Sequence, residues 1–230
     1  MIPLRDEVPT RSFPVVTVSV IVLNVAIYIY QLTLSQYQYS AMIFKWGYLP
    51  IEYTHFVQVY PQLAVPYGLT VLTSMFVHGG FMHLAGNMLY LWIFGNNIED
   101  HLGKVKFIVF YLISGIAALA LFTVTSPASD IPLVGASGAI AGVLGAYVAL
   151  YPRARVLALV FLGFFIQTVR VPAAILLGFW FVLQLLYGLP SLLGGTQGGG
   201  VAWFAHVGGF AFGYLYFKLT RKRSDWVVYR

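Results

Sequence analysis

Six stretches of this chain approach the length of a membrane crossing, since a helix needs ~20 apolar residues to span the hydrocarbon core of a bilayer. No other feature narrows the fold as far. Hydrocarbon offers backbone groups no water, so a crossing segment must bond its own amides, and helices do that within one segment. The expected fold is an all-α membrane protein. Its composition agrees, with 60% hydrophobic and 9% charged residues, where soluble domains carry about 25% charged residues. The 230 residues hold roughly five to seven crossings, so one bundle, residues 1–230, is the expected unit. The absence of cysteine excludes disulfides, thiolate nucleophiles and zinc-thiolate sites.

The runs fall at about residues 13–34, 81–98, 105–124, 133–151, 171–189 and 201–219. The first exceeds the ~7–15 apolar residues of a secretory signal and is followed by no small-residue cleavage pattern, so it reads as an anchor. A long connection, 35–75, is rich in Tyr, Trp and Pro and reads as interfacial. A further apolar stretch, 156–169, is too short to cross and is expected to lie along the inner interface. With six crossings, 12 of the 13 basic residues share one side and only Lys45 lies opposite. The positive-inside rule then places both termini in the cytoplasm. The net charge of +6 is therefore read as topology, with no nucleic-acid partner.

Polar groups inside crossings are costly and suggest function. Ser137, about six residues beyond Ile131 where the apolar character begins, and His206, five residues into the sixth run, lie roughly 8–9 Å below the same surface if both stretches are helical. His83 and Asn87, spaced i and i+4, share one face of the second run near the same outer end. A serine hydroxyl becomes nucleophilic when a neighbouring base takes its proton, and histidine is suited to that task. Gly138 and Gly142, with Gly209 and Gly213, form two small-xxx-small surfaces on which the fourth and sixth helices can approach closely. Asn87, His83 and the backbone N–H of Ser137 are the candidate oxyanion donors. None of the seven acids lies in the outer half of a crossing, so the expected machinery is a Ser-His dyad whose imidazole is held by helix packing. No HExxH motif occurs, and no metal or cofactor is expected. Each feature alone has a plainer meaning: a serine among glycines is usually a packing residue, and His78 reads as an interhelical hydrogen-bonding group. Only the conjunction is specific.

Three segments, His78-Gly-Gly-Phe-Met-His83-Leu-Ala-Gly-Asn87, Gly135-Ala-Ser137-Gly138-Ala-Ile-Ala-Gly142 and Ala205-His206-Val-Gly-Gly209-Phe-Ala-Phe-Gly213, resemble the rhomboid family of intramembrane serine proteases. The Glu99-x-x-x-Gly103 turn is similar as well. The resemblance implies a six-helix bundle with Ser137 as nucleophile and His206 as general base and acid. It also implies an oxyanion hole of His83, Asn87 and the Ser137 N–H. The loop from Gly194 to Trp203 and parts of 171–189 would correspond to the family's substrate gate. Two positions depart from the pattern. Leu69-Thr70 stands where many relatives have Trp-Arg, so other contacts must fix the outer loop. Ala141 stands where many have an aromatic ring beside the histidine, so support for His206 falls to Phe204 or a residue of the second crossing.

The expected protein is an endopeptidase of a prokaryotic cytoplasmic membrane, acting on transmembrane protein substrates within the lipid bilayer near their outer ends. The rivals are a non-catalytic rhomboid-like binding factor and a small transporter. Both Ser137 and His206 are present, which argues against the first, and the cytoplasmic halves of the fourth and sixth runs are almost devoid of polar residues, which argues against the second.

Overall fold

The structure, a computed structural model, describes residues 1–63, 65–66, 68–162, 165–192 and 201–220. Helix α1 (Val15–Leu32) shows what kind of solvent surrounds the bundle. Its polar Thr17, Asn24 and Gln31 are buried, at 0, 0 and 1% exposure, while Val22, Ile29 and Leu32 are exposed at 60, 58 and 67%. Water would demand the reverse arrangement; lipid accepts it, because polar side chains there gain by facing protein partners. Among the described residues three helices, α1, α6 (Lys104–Thr125) and α8 (Ala173–Leu192), are long and apolar enough to cross a membrane by length and composition. Helix α7 (Ser137–Leu150) is apolar but shorter, and α5 (Phe81–Leu102) and α9 (Trp203–Thr220) carry the polar groups of interest.

Helices α5 and α6 are joined by Gly103 alone, at φ +77. That left-handed conformation is open to glycine at no steric cost. The acidic pair just before this turn caps the start of α1. Glu99, 3% exposed, accepts from Val16 N, Thr17 N and Thr17 Oγ1 at 2.7–2.9 Å, and Asp100 accepts from Arg11 N, Ser12 N and Ser12 Oγ. The amides at a helix start have no partners within the helix, so a carboxylate with three donors is well placed there.

The all-α expectation is corrected by a three-stranded antiparallel sheet, in the order β1 (Ile2–Asp6), β2 (Arg155–Leu162), β3 (Phe165–Pro172). The 156–169 stretch is thus a hairpin, paired in continuous register from Arg155↔Pro172 to Leu162↔Phe165. Its Val, Ile, Phe and Thr residues favour strands, and pairing with a neighbouring strand satisfies their backbone groups. The amino-terminal residues supply the third strand: Ile2 pairs with Leu159 and Asp6 with Val156. Arg170 and Glu7 add an exposed ion pair at 2.9 Å, of a kind worth about 0–1 kcal/mol.

The sheet is tied to the far end of α7 from Ser137. Tyr147 donates to Asp6 Oδ2 at 2.7 Å. Burial raises the Asp6 carboxyl above its usual range, against the opposing effect of the Tyr147 hydrogen bond. A carboxyl raised on folding adds stability that is fully present below its unfolded value near pH ~4 and is lost as pH rises through the elevated folded value. Asp6→Asn keeps an acceptor and removes the charge. The thermal midpoint of Asp6→Asn relative to wild type should therefore improve between pH 4 and pH 8; a pH-independent difference would contradict this account.

The connection 35–75 folds into α2 (Gln36–Trp46), α3 (Pro50–His55), a 3₁₀ turn (Pro61–Leu63) and α4 (Leu69–Thr73). Ser35 and Gln38 form a reciprocal capping box at the start of α2. The contacts that hold this loop in place of a Trp-Arg pair are now visible. Tyr53 OH and Thr70 Oγ1 are 2.6 Å apart, Tyr53 stacks on Tyr48 with centroids 4.5 Å apart, and Thr73 Oγ1 donates to the Trp46 carbonyl.

Candidate active site

Ser137 is the first residue of α7. Residues 133–136 lead into it without helical structure, held by an isolated bridge between Leu133 and Tyr48 and by Gly135 N donating to the Ser74 carbonyl at 2.8 Å. Residues 131–136 are not helical, so the depth estimate for Ser137, which counts helical rise from Ile131, does not apply. The serine gains a different property from its position, because its amide is among those at a helix start that lack an intrahelical acceptor. Gly135 has φ +119, and a Cβ there would come within 2.6 Å of His83 Cε1 and Nε2 and 3.6 Å of Asn87 Nδ2. The backbone two residues before Ser137 therefore lies directly against both candidate oxyanion side chains.

Helices α7 and α9 run parallel and nearly touch. A Cβ on Gly209 would strike the Gly138 carbonyl oxygen, and one on Gly213 would strike the Gly142 carbonyl oxygen. The stepping of 138 against 209 and 142 against 213 gives the shared direction and the register. Gly145 extends the seam by facing the Phe210 carbonyl. Gly138 and Gly142 do a second job: their own α-carbons face Ala118 and Ser114 of α6. With the two backbones in contact, Ser137 Oγ and His206 Nε2 are 2.8 Å apart.

On its other side, His206 Nδ1 lies 2.8 Å from Gln184 Oε1 of α8. Trp180, one turn earlier on α8, has its ring centroid 5.7 Å from that of the imidazole at 35°, and Trp203 approaches edge-on at 6.3 Å. Ring support for His206 thus comes from the fifth apolar run and from Trp203, in place of Phe204 or the second run. Sequence reasoning missed both Trp180 and Gln184. The signal for Gln184 was present, since an amide inside an apolar run belongs to the same class as Asn87, but the direction it faces depends on how α8 is rotated.

Asn87 Nδ2 lies 3.0 Å from His78 Nε2, which uses one of its two N–H groups and leaves the other for a ligand. The backbone of His78 is itself held on both sides by the buried Gln31: Gln31 Nε2 donates to the His78 carbonyl at 2.9 Å, and His78 N donates to Gln31 Oε1 at 3.1 Å. Tyr39 OH also donates to that carbonyl, at 3.2 Å. His78 is fully buried and links α1 to Asn87. Ser137, His206, His83, Asn87 and Trp180 all line one cavity of about 500 Å³. Its size suits an extended peptide segment with water. Among the described residues no group of three or more His, Asp or Glu is placed to hold a metal. The expected gate loop falls mostly at 193–200, outside the described residues.

The family model described as "Rhomboid domain" matches residues 67–223. The chain is 34% identical over 174 residues to "Rhomboid protein 1, mitochondrial" of Saccharomyces cerevisiae, covering 70% of this chain and 45% of that protein. It is 45% identical over 85 residues to "Rhomboid protease GluP" of Bacillus subtilis, covering 36% of this chain and 16% of that protein. With "Presenilin-associated rhomboid-like protein, mitochondrial" of Bos taurus it shares 38% over 100 residues, covering 43% of this chain and 26% of that protein. The chain thus spans less than half the length of these curated relatives.

Proposed function

From the premise that this chain belongs to the rhomboid family, we propose that it is an intramembrane serine endopeptidase that cuts transmembrane segments of other membrane proteins. The observation that carries the reading is the 2.8 Å contact between Ser137 Oγ and His206 Nε2 on a cavity large enough for a peptide. His206 Nε2 takes the Ser137 proton as Oγ attacks the scissile carbonyl carbon. The oxyanion that forms accepts from the free N–H of Asn87, from His83 and from the Ser137 amide. As the C–N bond breaks, the imidazolium returns its proton to the leaving amine. Water, activated by the same imidazole, then hydrolyses the acyl-enzyme.

Six helices, α1 and α5 to α9, form one membrane domain over 1–230, with both termini in the cytoplasm as the basic residues favour. The 14 residues of α7 measure about 21 Å against a hydrocarbon core of about 30 Å. If the sheet end of α7 lies at the cytoplasmic face, Ser137 sits in a depression below the outer one. That geometry brings water to the dyad and requires a substrate helix to unwind locally, so small, helix-breaking residues at the cut site should favour cleavage. The compartment in this reading is the cytoplasmic membrane of a prokaryote; the relatives bear both bacterial and mitochondrial names.

A serine-reactive phosphonate tests the dyad without knowledge of the substrate. Wild type in detergent should be labelled at Ser137, and Ser137→Ala should not be. Absence of labelling in wild type, under conditions where a known serine protease reacts, would favour the non-catalytic binding factor.

A further inference from the structure

The acceptor on the far side of His206 is an uncharged amide, and its surroundings allow it only one orientation. Gln184 is 4% exposed. Its side-chain nitrogen lies 3.0 Å from the Trp180 carbonyl. A carbonyl oxygen can only accept, so the amide atom facing it must be the NH₂, and the oxygen must be the atom facing the imidazole. An amide oxygen can likewise only accept. The ring nitrogen 2.8 Å from it, His206 Nδ1, must therefore carry the proton. A neutral imidazole has one N–H, which leaves Nε2 bare, 2.8 Å from Ser137 Oγ, and the serine is the donor in that bond.

We infer that Gln184 is the positioning residue of the dyad, fixing through its anchored amide the histidine tautomer that can take the serine proton. The inference rests on the protease reading and supplies what a two-residue dyad lacks. In triads a buried aspartate selects the tautomer and also stabilises the imidazolium. Here the Gln184 oxygen performs the first task and adds only a dipole to the second. Trp180 and Gln184, spaced i and i+4, share one face of α8, so one helix supplies both the ring that limits tilting of the imidazole and the acceptor that limits its rotation. Of the groups that titrate, His83 and Tyr90 of α5 line the same cavity. Among the described residues the acceptor facing Nδ1 is Gln184.

The test has a spectroscopic and a kinetic arm. Protein labelled with ¹⁵N-histidine is prepared in detergent micelles, and the His206 ring signals are identified by their loss in His206→Ala. Wild type should show a protonated Nδ1 and a bare Nε2. Gln184→Leu, which keeps the volume and removes the acceptor, should show a mixture of tautomers, and Gln184→Glu, which restores an acceptor at the same reach, should return Nδ1–H. In cleavage of a single-span substrate, Gln184→Leu should lose about 10²-fold in kcat, less than the ~10⁴-fold that follows a wrong tautomer in a triad, with KM within about threefold. Gln184→Glu should recover at least a tenth of wild-type kcat. A wild-type ring protonated at Nε2, or a Gln184→Leu protein with an unchanged tautomer and unchanged kcat, would overturn the proposal. Because the tautomer is read without substrate, failure of the protease reading and failure of this one are separable.

Discussion

Ser137→Ala should reduce kcat for cleavage of a single-span substrate in liposomes by at least about 10⁴-fold, and His206→Ala should do the same. The magnitude follows from the division of labour. Without the hydroxyl no acyl-enzyme forms, and without the imidazole the hydroxyl at 2.8 Å has no acceptor for its proton. Residues that act as one unit are also non-additive, as removal of one or all members of a hydrolase triad costs nearly the same. The double variant Ser137→Ala, His206→Ala should therefore be no slower than either single one. KM should change little, because substrate contacts spread over the whole cavity are retained. Full activity in Ser137→Ala would remove serine chemistry from this protein altogether. Independent, multiplying losses would show that the two side chains do not work as a pair.

The second large effect lies away from the reacting atoms. Gly213→Val should inactivate the protein and lower its thermal stability together. A Cβ at position 213 collides with the Gly142 carbonyl oxygen, which belongs to a helix backbone and cannot swing aside. Helices α7 and α9 must then part, and the dyad spans that seam. Overpacking of this kind costs about 1–3 kcal/mol or more, and a displacement of ~1 Å at reacting groups costs about 10²-fold in rate. Gly178→Ala on α8, where an added Cβ meets nothing within 4 Å, is the control and should match wild type in melting and cleavage. Phosphonate labelling follows the dyad directly and should fall in Gly213→Val by the same factor as cleavage. If Gly213→Val labels normally, close approach of the two helices is not what holds the dyad.

Much of the site is legible in the sequence because hydrocarbon makes every polar group conspicuous. Ser137, His206, His83 and Asn87 stand out from apolar runs, and the glycine spacing at 138, 142, 209 and 213 marks the surface that brings α7 and α9 into contact. The departures at Thr70 and Ala141 are equally visible as gaps in a pattern, but what fills them is not. Thr70 is held by Tyr53, 17 residues away in the chain, and the ring beside His206 is Trp180 of α8. Gln31 and Gln184 are as conspicuous in sequence as Asn87, yet their significance depends on helix rotation. Only when α1 and α8 are packed does Gln31 meet the backbone of His78 and Gln184 meet His206.

The sheet shows the same division. Length shows that 156–169 is too short to cross, but strand pairing is a contact between residues far apart in sequence: Ile2 lies opposite Leu159. The sequence by itself determined that this chain must live in lipid and which polar side chains are the candidates for its chemistry, because both follow from the cost of each residue in hydrocarbon, a cost set locally. Which nitrogen of His206 holds the proton, and what steadies the ring, only the tertiary structure decided, because those depend on angles and distances between helices that packing alone sets.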